Sequence, residues 1–222
     1  MQEKYILLVE GKSDQGLFKN LLKDLNLKIE IEPKIPRDIE AKIFRNGLHP
    51  LYQQLELQID LLLRGQITRL GVVVDADYEA QEFNGFANRR KQLVAILADK
   101  GFTITDVPEP ECGEIFRHPS GAKIGIWIMP DHANDGMIED LLLACIKVEF
   151  NPLKEHAQMV VGQLGELQQF VEHRTCKAYL ATWLAWQDKP GISHAYAYSQ
   201  NRFDKLNPKL QALNNWLKSL FS

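Results

Sequence analysis

Two short apolar runs, each ending in an acid, constrain this chain more than any other feature. Ile6-Leu7-Leu8-Val9 ends at Glu10, and Leu70-Gly71-Val72-Val73-Val74 ends at Asp75, with Asp77 two residues further on. An unbroken aliphatic run of this length reads as a strand covered on both faces, as in a parallel sheet. In open α/β sheets, ligands bind in the crevice beyond the carboxyl ends of such strands. Three carboxylates meeting there repel one another, and a divalent cation of the magnesium type relieves that repulsion.

The surrounding pattern supplies helices between the strands. Asp14 is the expected N-cap of a helix whose apolar face is Leu17, Phe18, Leu21, Leu22 and Leu25. Residues 27–31 read as a short second strand, and 33–46, with two prolines and several charges, take no assignment. A helix is expected over 48–63 after Gly47, closed by Arg64-Gly65, and another over 89–100, ending at Gly101. Residues 78–88 are polar and loop-like, and 102–107 read as strand. A hairpin pairs 115–117 with the long apolar strand 122–129 around His118-Pro119-Ser120-Gly121, and a helix follows over 137–147. From about Asn151 onward the pattern is helical, most clearly over 176–187. This alternation predicts an α/β sandwich with a mainly parallel central sheet over residues 1–147. Residues 148–222 form a helical C-terminal extension packed on that core.

A chain of 222 residues with 45% hydrophobic content can bury one good core. A formal charge of −3 argues against a protein that coats nucleic acid non-specifically, but not against one that grips phosphates locally. The three cysteines, Cys112, Cys145 and Cys176, form no C-x-x-C pair, which points to free thiols in a reducing compartment and no zinc site. The amino terminus runs straight into the first strand, and no apolar stretch is long enough to span a bilayer. The expectation is a cytoplasmic protein that does not enter membranes.

Three acidic groupings carry candidate chemistry. Gly11-Lys12-Ser13 invites comparison with a P-loop, but the glycine required five positions earlier is Ile6, inside the strand. The phosphate cradle is therefore missing, which leaves an acid at a strand end and a sharp turn into a helix. In Asp75-Ala76-Asp77, residues i and i+2 point to one side, so both carboxylates can reach a hard cation. Haloacid-dehalogenase-type phosphatases and nucleotide-sugar glycosyltransferases also use such a pair. The first places it near the amino terminus, and the second leaves Glu10 unexplained. The third grouping is Asp131, Asp135 and Glu139, in which Asp135 or Asn134 is expected to cap the helix that Gly136 opens.

The strand ending in Glu10-Gly11, the helix after Asn46-Gly47 and the later strand ending in Asp75-Ala76-Asp77 together resemble the Toprim (topoisomerase–primase) domain. The run Met129-Pro130-Asp131 through Asp135-Gly136-Met137-Ile138-Glu139-Asp140-Leu141-Leu142 resembles a small stand-alone bacterial Toprim-related family of unknown function. That family is similar to the nucleases of the overcoming-lysogenization-defect class. The Toprim resemblance covers roughly residues 1–145. It implies that Glu10 is the general acid/base and that Asp75 and Asp77 are ligands of Mg²⁺ (or Mn²⁺). It further implies that Asp131 and Glu139 support a second ion and that Lys177 is a candidate for the lysine used beyond the acidic core. No ATPase domain of the kind carried by the larger nucleases accompanies them.

Lys12 beside the crevice is a candidate phosphate contact, as are Arg89, Arg90 and Lys91, although the plainer reading of each is a solvated helix or loop charge. The six histidines show no zinc spacing, and His132 reads as a loop residue. Tyr179, Trp183, Trp186, Tyr196 and Tyr198 can stack bases, but at helical spacing the first three read as packing of the tail onto the sheet. The expected activity is magnesium-dependent phosphodiester chemistry on nucleic acid, DNA or RNA, most simply as a nuclease. Two rivals remain open: a non-catalytic module binding nucleic acid or a partner protein, and a phosphatase or phosphotransferase acting on a small nucleotide.

Overall fold

The computed structural model describes residues 3–33, 50–78, 84–104 and 112–222. Among these, eight α-helices surround one mixed, mostly parallel sheet. Its strands are β1 (Tyr5–Val9), β2 (Glu30–Pro33), β3 (Arg69–Asp75), β4 (Thr103–Ile104), β5 (Glu114–Arg117) and β6 (Lys123–Met129). The order across the sheet is β2-β1-β3-β6-β5-β4. The pairs β1–β2, β1–β3 and β3–β6 are parallel, whereas β6–β5 and β5–β4 are antiparallel.

The helices are α1 (Lys12–Asp24), α2 (Pro50–Leu63), α3 (Phe86–Asp99), α4 (Ile138–Ala144), α5 (Asn151–Gly162), α6 (Thr175–Ala185), α7 (His194–Ser199) and α8 (Pro208–Phe221). Side chains of a strand alternate between faces, and both faces here are apolar. Ile6, Leu8, Val72, Val74, Ile126 and Ile128 bury against Leu55 and Ile59 of α2 and Leu93 and Leu97 of α3. Leu7, Val9, Val73, Trp127 and Met129 bury on the other face, among Phe18 and Leu21 of α1, Leu141 of α4, Trp183 of α6 and Trp216 and Leu217 of α8. The expected central strands thus exist, with β1 over the expected residues.

A glycine pair shapes that second face. Gly71 of β3 and Gly125 of β6 are direct cross-strand partners. A Cβ on Gly71 would lie 2.8 Å from Leu7 Cδ1 and 2.9 Å from Phe221 Cζ, and one on Gly125 would lie 2.6 Å from Leu220 Cδ2. The missing side chains form the trough into which the end of α8 settles, a use of glycine for close approach.

Several local expectations shift. The second strand is Glu30–Pro33, not 27–31; Leu27 and Ile29 instead pack against the core from the segment leading into it. Helix α3 begins at Phe86, three residues before the expected start, and the strand expected over 102–107 is confined to Thr103–Ile104 among the described residues. Asn46, Gly47, Glu79 and most of the unassigned 33–46 stretch lie outside the described residues. The hairpin of β5 and β6 forms as expected, with the His118 N–H donating to Ala122 O across the turn. No helix of the described residues is long and apolar enough to cross a membrane.

Candidate functional site

The parallel register sets Glu10, at the end of β1, beside the end of β3. The Asp75 N–H donates to Glu10 Oε1 at 3.1 Å. Beyond Glu10 the chain turns at Gly11, which is the N-cap of α1, and Asp14 folds its carboxylate back to accept the Gly11 N–H at 2.9 Å. Asp14 therefore does not begin the helix, as the sequence suggests. It sits one turn in, which brings a further acid to the site.

β6 flanks β3 on its other side, with Asp75 opposite Met129. The chain then loops to Gly136, which exchanges two backbone hydrogen bonds of 2.9 Å with Asp77. Asp77 occupies the left-handed region at φ +58°, held there by this two-way bridge. The bridge fixes the start of α4, whose Ile138 N–H donates to Asp75 Oδ1 at 2.9 Å. That arrangement favours a carboxylate at a helix N-terminus. Glu139 follows on the first turn of α4, its charge bearing on Asp75, with the tail residue Lys177 3.9 Å from its Oε1.

The electrostatics follow from this crowding. Burial first, and then the Asp77 charge, push the Glu10 carboxyl up to about 7, against the pull of the Asp75 N–H and Arg89. Burial, followed by Glu10, Glu139 and Asp14, holds Asp75 well above the ordinary carboxylate range. Burial likewise raises Glu139, although Lys177 opposes it. Glu10, Asp14 and Asp75 line a small crevice walled by Phe18 and Ile138. Glu139 Oε2 is buried without a hydrogen-bond partner, an acceptor that a cation would satisfy. Among the described residues no three His, Cys, Asp or Glu side chains are already gathered around one point for an ion. Asp77 in particular is turned to Arg89.

Arg89 is not a solvated helix charge. Its side chain is 7% exposed, and it donates to Asp75 O at 3.1 Å, Asp77 Oδ2 at 3.0 Å, Tyr52 OH at 3.1 Å and Asn84 Oδ1 at 3.3 Å. Arg90, the next residue, is committed elsewhere. It grips the buried Glu114 of β5 through Nε and Nη2, and His132 Nε2 approaches the same carboxylate at 3.5 Å. His132 Nδ1 accepts the Ile128 N–H at 3.0 Å, and the buried Nε2 makes no hydrogen bond. His132 lies in the loop after β6, as expected, but its side chain is buried. Lys12 and Lys91 are exposed.

Two residues of the third acidic grouping go elsewhere. Asp131 is buried at 1% exposure and accepts Lys209 Nζ at 2.6 Å, together with the backbone and side-chain N–H groups of Asn134. Burial works to raise its pKa, but Lys209 and Asn134 prevail and hold the carboxyl below the usual range. It ties the end of β6 to α8. Asp135 Oδ1 accepts the Phe86 N–H at 2.7 Å, so it serves the start of α3. The start of α4 is served by Asp140, which accepts the Met137 N–H at 2.7 Å, and not by Asp135 or Asn134.

The tail contributes directly. Besides Lys177 of α6, the buried His194 of α7 places Nε2 3.1 Å from Ser13 O and 3.4 Å from Ser13 Oγ. No histidine spacing in the sequence marks it. The tail aromatics divide: Trp183 and Tyr198 are buried, whereas Trp186 and Tyr196 remain partly exposed.

The molecule is thus an α/β protein with an acidic crevice at the carboxyl ends of its central parallel strands. The family model described as "Protein of unknown function (DUF3226)" matches residues 4–222, and the chain belongs to that family. No curated protein and no solved structure matches it.

Proposed function

We propose that the crevice is the active centre of a Toprim-type, magnesium-dependent enzyme that cleaves phosphodiester bonds in nucleic acid. The observation carrying this reading is the meeting of Glu10 and Asp75 in one crevice, with the charge of Glu139 bearing on Asp75 and Glu139 Oε2 buried and unpartnered. Asp75, Glu139 and, once turned from Arg89, Asp77 would hold Mg²⁺ or Mn²⁺, hard cations that take oxygen ligands. Such an ion, when bound, supplies charge neutralisation for a phosphodiester. Glu10, pushed up to about 7, holds or accepts a proton near neutral pH, the property required of a general acid/base. Lys177 stands where its ammonium can meet a phosphate oxygen beside Glu139, and Lys12, exposed on the first turn of α1, is the further candidate for a phosphate contact.

The experiment is a cleavage assay over single- and double-stranded DNA and RNA with Mg²⁺ or Mn²⁺. Cleavage abolished by EDTA is expected. Glu10→Gln should lose at least about a hundredfold in turnover, the usual scale of acid/base catalysis, while metal binding persists. Asp77→Ala should lose both. Activity surviving in both variants rejects this assignment of roles.

A second reading is favoured by one observation. The Arg89–Asp77 ion pair neutralises part of the acidic cluster without any ion, as expected of a non-catalytic module that binds nucleic acid or a partner protein. Saturable, metal-independent binding with no cleavage across the same substrates would select it.

A further inference from the structure

We propose that Arg89 is a positioning residue that competes with a divalent cation for Asp77, so that the metal-free site is latched by an internal counter-ion. This inference rests on the metal site proposed above. The guanidinium is held by partners other than Asp77: the Asp75 carbonyl, the Tyr52 hydroxyl and the Asn84 side chain. Tyr52 is itself braced by donating to Gln92 Oε1 at 2.7 Å, so α2 and α3 together fix the arginine in place. Asp77 is the more open member of the pair, with 35% of its side chain exposed against 7% for Arg89. An entering ion therefore meets a fixed cation and a carboxylate free to turn.

Two consequences follow. Asp77 must exchange a charge-assisted hydrogen bond for a metal bond, and the guanidinium, always charged, repels the ion that replaces it. Arg89 accordingly weakens metal binding while keeping the acids from repelling one another in its absence. Asp77 sits on the rigid bridge to Gly136, so the exchange needs rotation of its side chain rather than movement of the backbone.

The test is a Mn²⁺ titration of the full chain followed by calorimetry and by the electron paramagnetic resonance signal of free Mn²⁺. Arg89→Gln, which keeps hydrogen-bonding capacity toward Tyr52 and Asp75 O but loses the charge, should bind Mn²⁺ about tenfold more tightly, as Coulomb repulsion at these separations implies. Adding Asp77→Ala to Arg89→Gln should return the affinity to the wild-type level or below. Wild-type protein provides a reading independent of that variant's folding: the Arg89 Nε–H resonance, assigned with Arg89→Lys, should move with Mg²⁺ on the same isotherm as binding. Equal or weaker Mn²⁺ binding by a folded Arg89→Gln, or an Arg89 resonance indifferent to saturating Mg²⁺, overturns the latch and leaves the metal site standing. Absence of Mn²⁺ binding in wild type and variant alike overturns both.

Discussion

At the residue scale, Glu10 carries the most information because its proton is bound more tightly in the folded chain than in the unfolded one. Its carboxyl rises from 4.5 to about 7 on folding, chiefly through burial and then through Asp77. Such a group stabilises the folded state fully below the unfolded value, and that contribution is lost as pH rises through the folded one. Metal-free protein should therefore melt at progressively lower temperature as pH rises from about 4.5 to about 7 in EDTA. Glu10→Gln should flatten this slope, and millimolar Mg²⁺ should reduce it. Asp75→Asn should leave the metal-free fold intact or slightly more stable, because the amide oxygen still accepts the Ile138 N–H and no longer adds charge to the cluster. A fall of many degrees in its melting temperature in EDTA would instead make Asp75 a structural anchor.

At the scale of elements, the sheet and α8 are fitted to each other through the Gly71–Gly125 pair. Replacing Gly125 by Ala sets a Cβ 2.6 Å from Leu220 Cδ2 and 3.0 Å from Trp216 Cζ2, both on side chains with little room to move. Overpacking of this kind should cost about 2 kcal/mol in urea unfolding, with the acidic crevice, at the far end of the strands, undisturbed. Loss of activity with unchanged stability would contradict this fitting. The same element-level logic explains the two displaced acids. Asp135 and Asp131 follow the same strand as Glu139, yet one closes the start of α3 and the other pairs with α8.

At the scale of the molecule, the helical extension shares one core with the strands. Trp183, Phe203, Leu213, Trp216 and Leu217 belong to the same buried cluster as Leu7, Val9, Phe18 and Trp127. Lys177 and His194 carry the tail to the edge of the acidic crevice. A chain ending at residue 147 keeps α1 and α4 on this face of the sheet but uncovers the part buried by Trp183 of α6 and by Trp216 and Leu217 of α8, and should show collapsed, dye-binding behaviour without near-ultraviolet circular dichroism. A sharp cooperative melt of that fragment would show that the core stands without its tail.

What could be read from residues alone was whatever local pattern dictates. Strands β1, β3 and β6 announce themselves as continuous aliphatic runs because both their faces are covered, and an acid placed after such a run stands at the sheet's carboxyl edge. The position of β2 was not legible in this way, since Leu27 and Ile29 are as apolar as strand residues, and only pairing of Ile6 with Glu30 and Val9 with Pro33 sets its register. Neither were the partners of the charges. Arg89 and Arg90 are adjacent and chemically identical, and they diverge because successive helix positions lie about 100° apart, one toward Asp77 and the other toward Glu114. Asp131 meets Lys209 from 78 positions away, and Glu139 meets Lys177. Periodicity is written along the chain and survives as sequence. A charge's partner is chosen by how distant elements pack, and that choice exists only in the folded molecule.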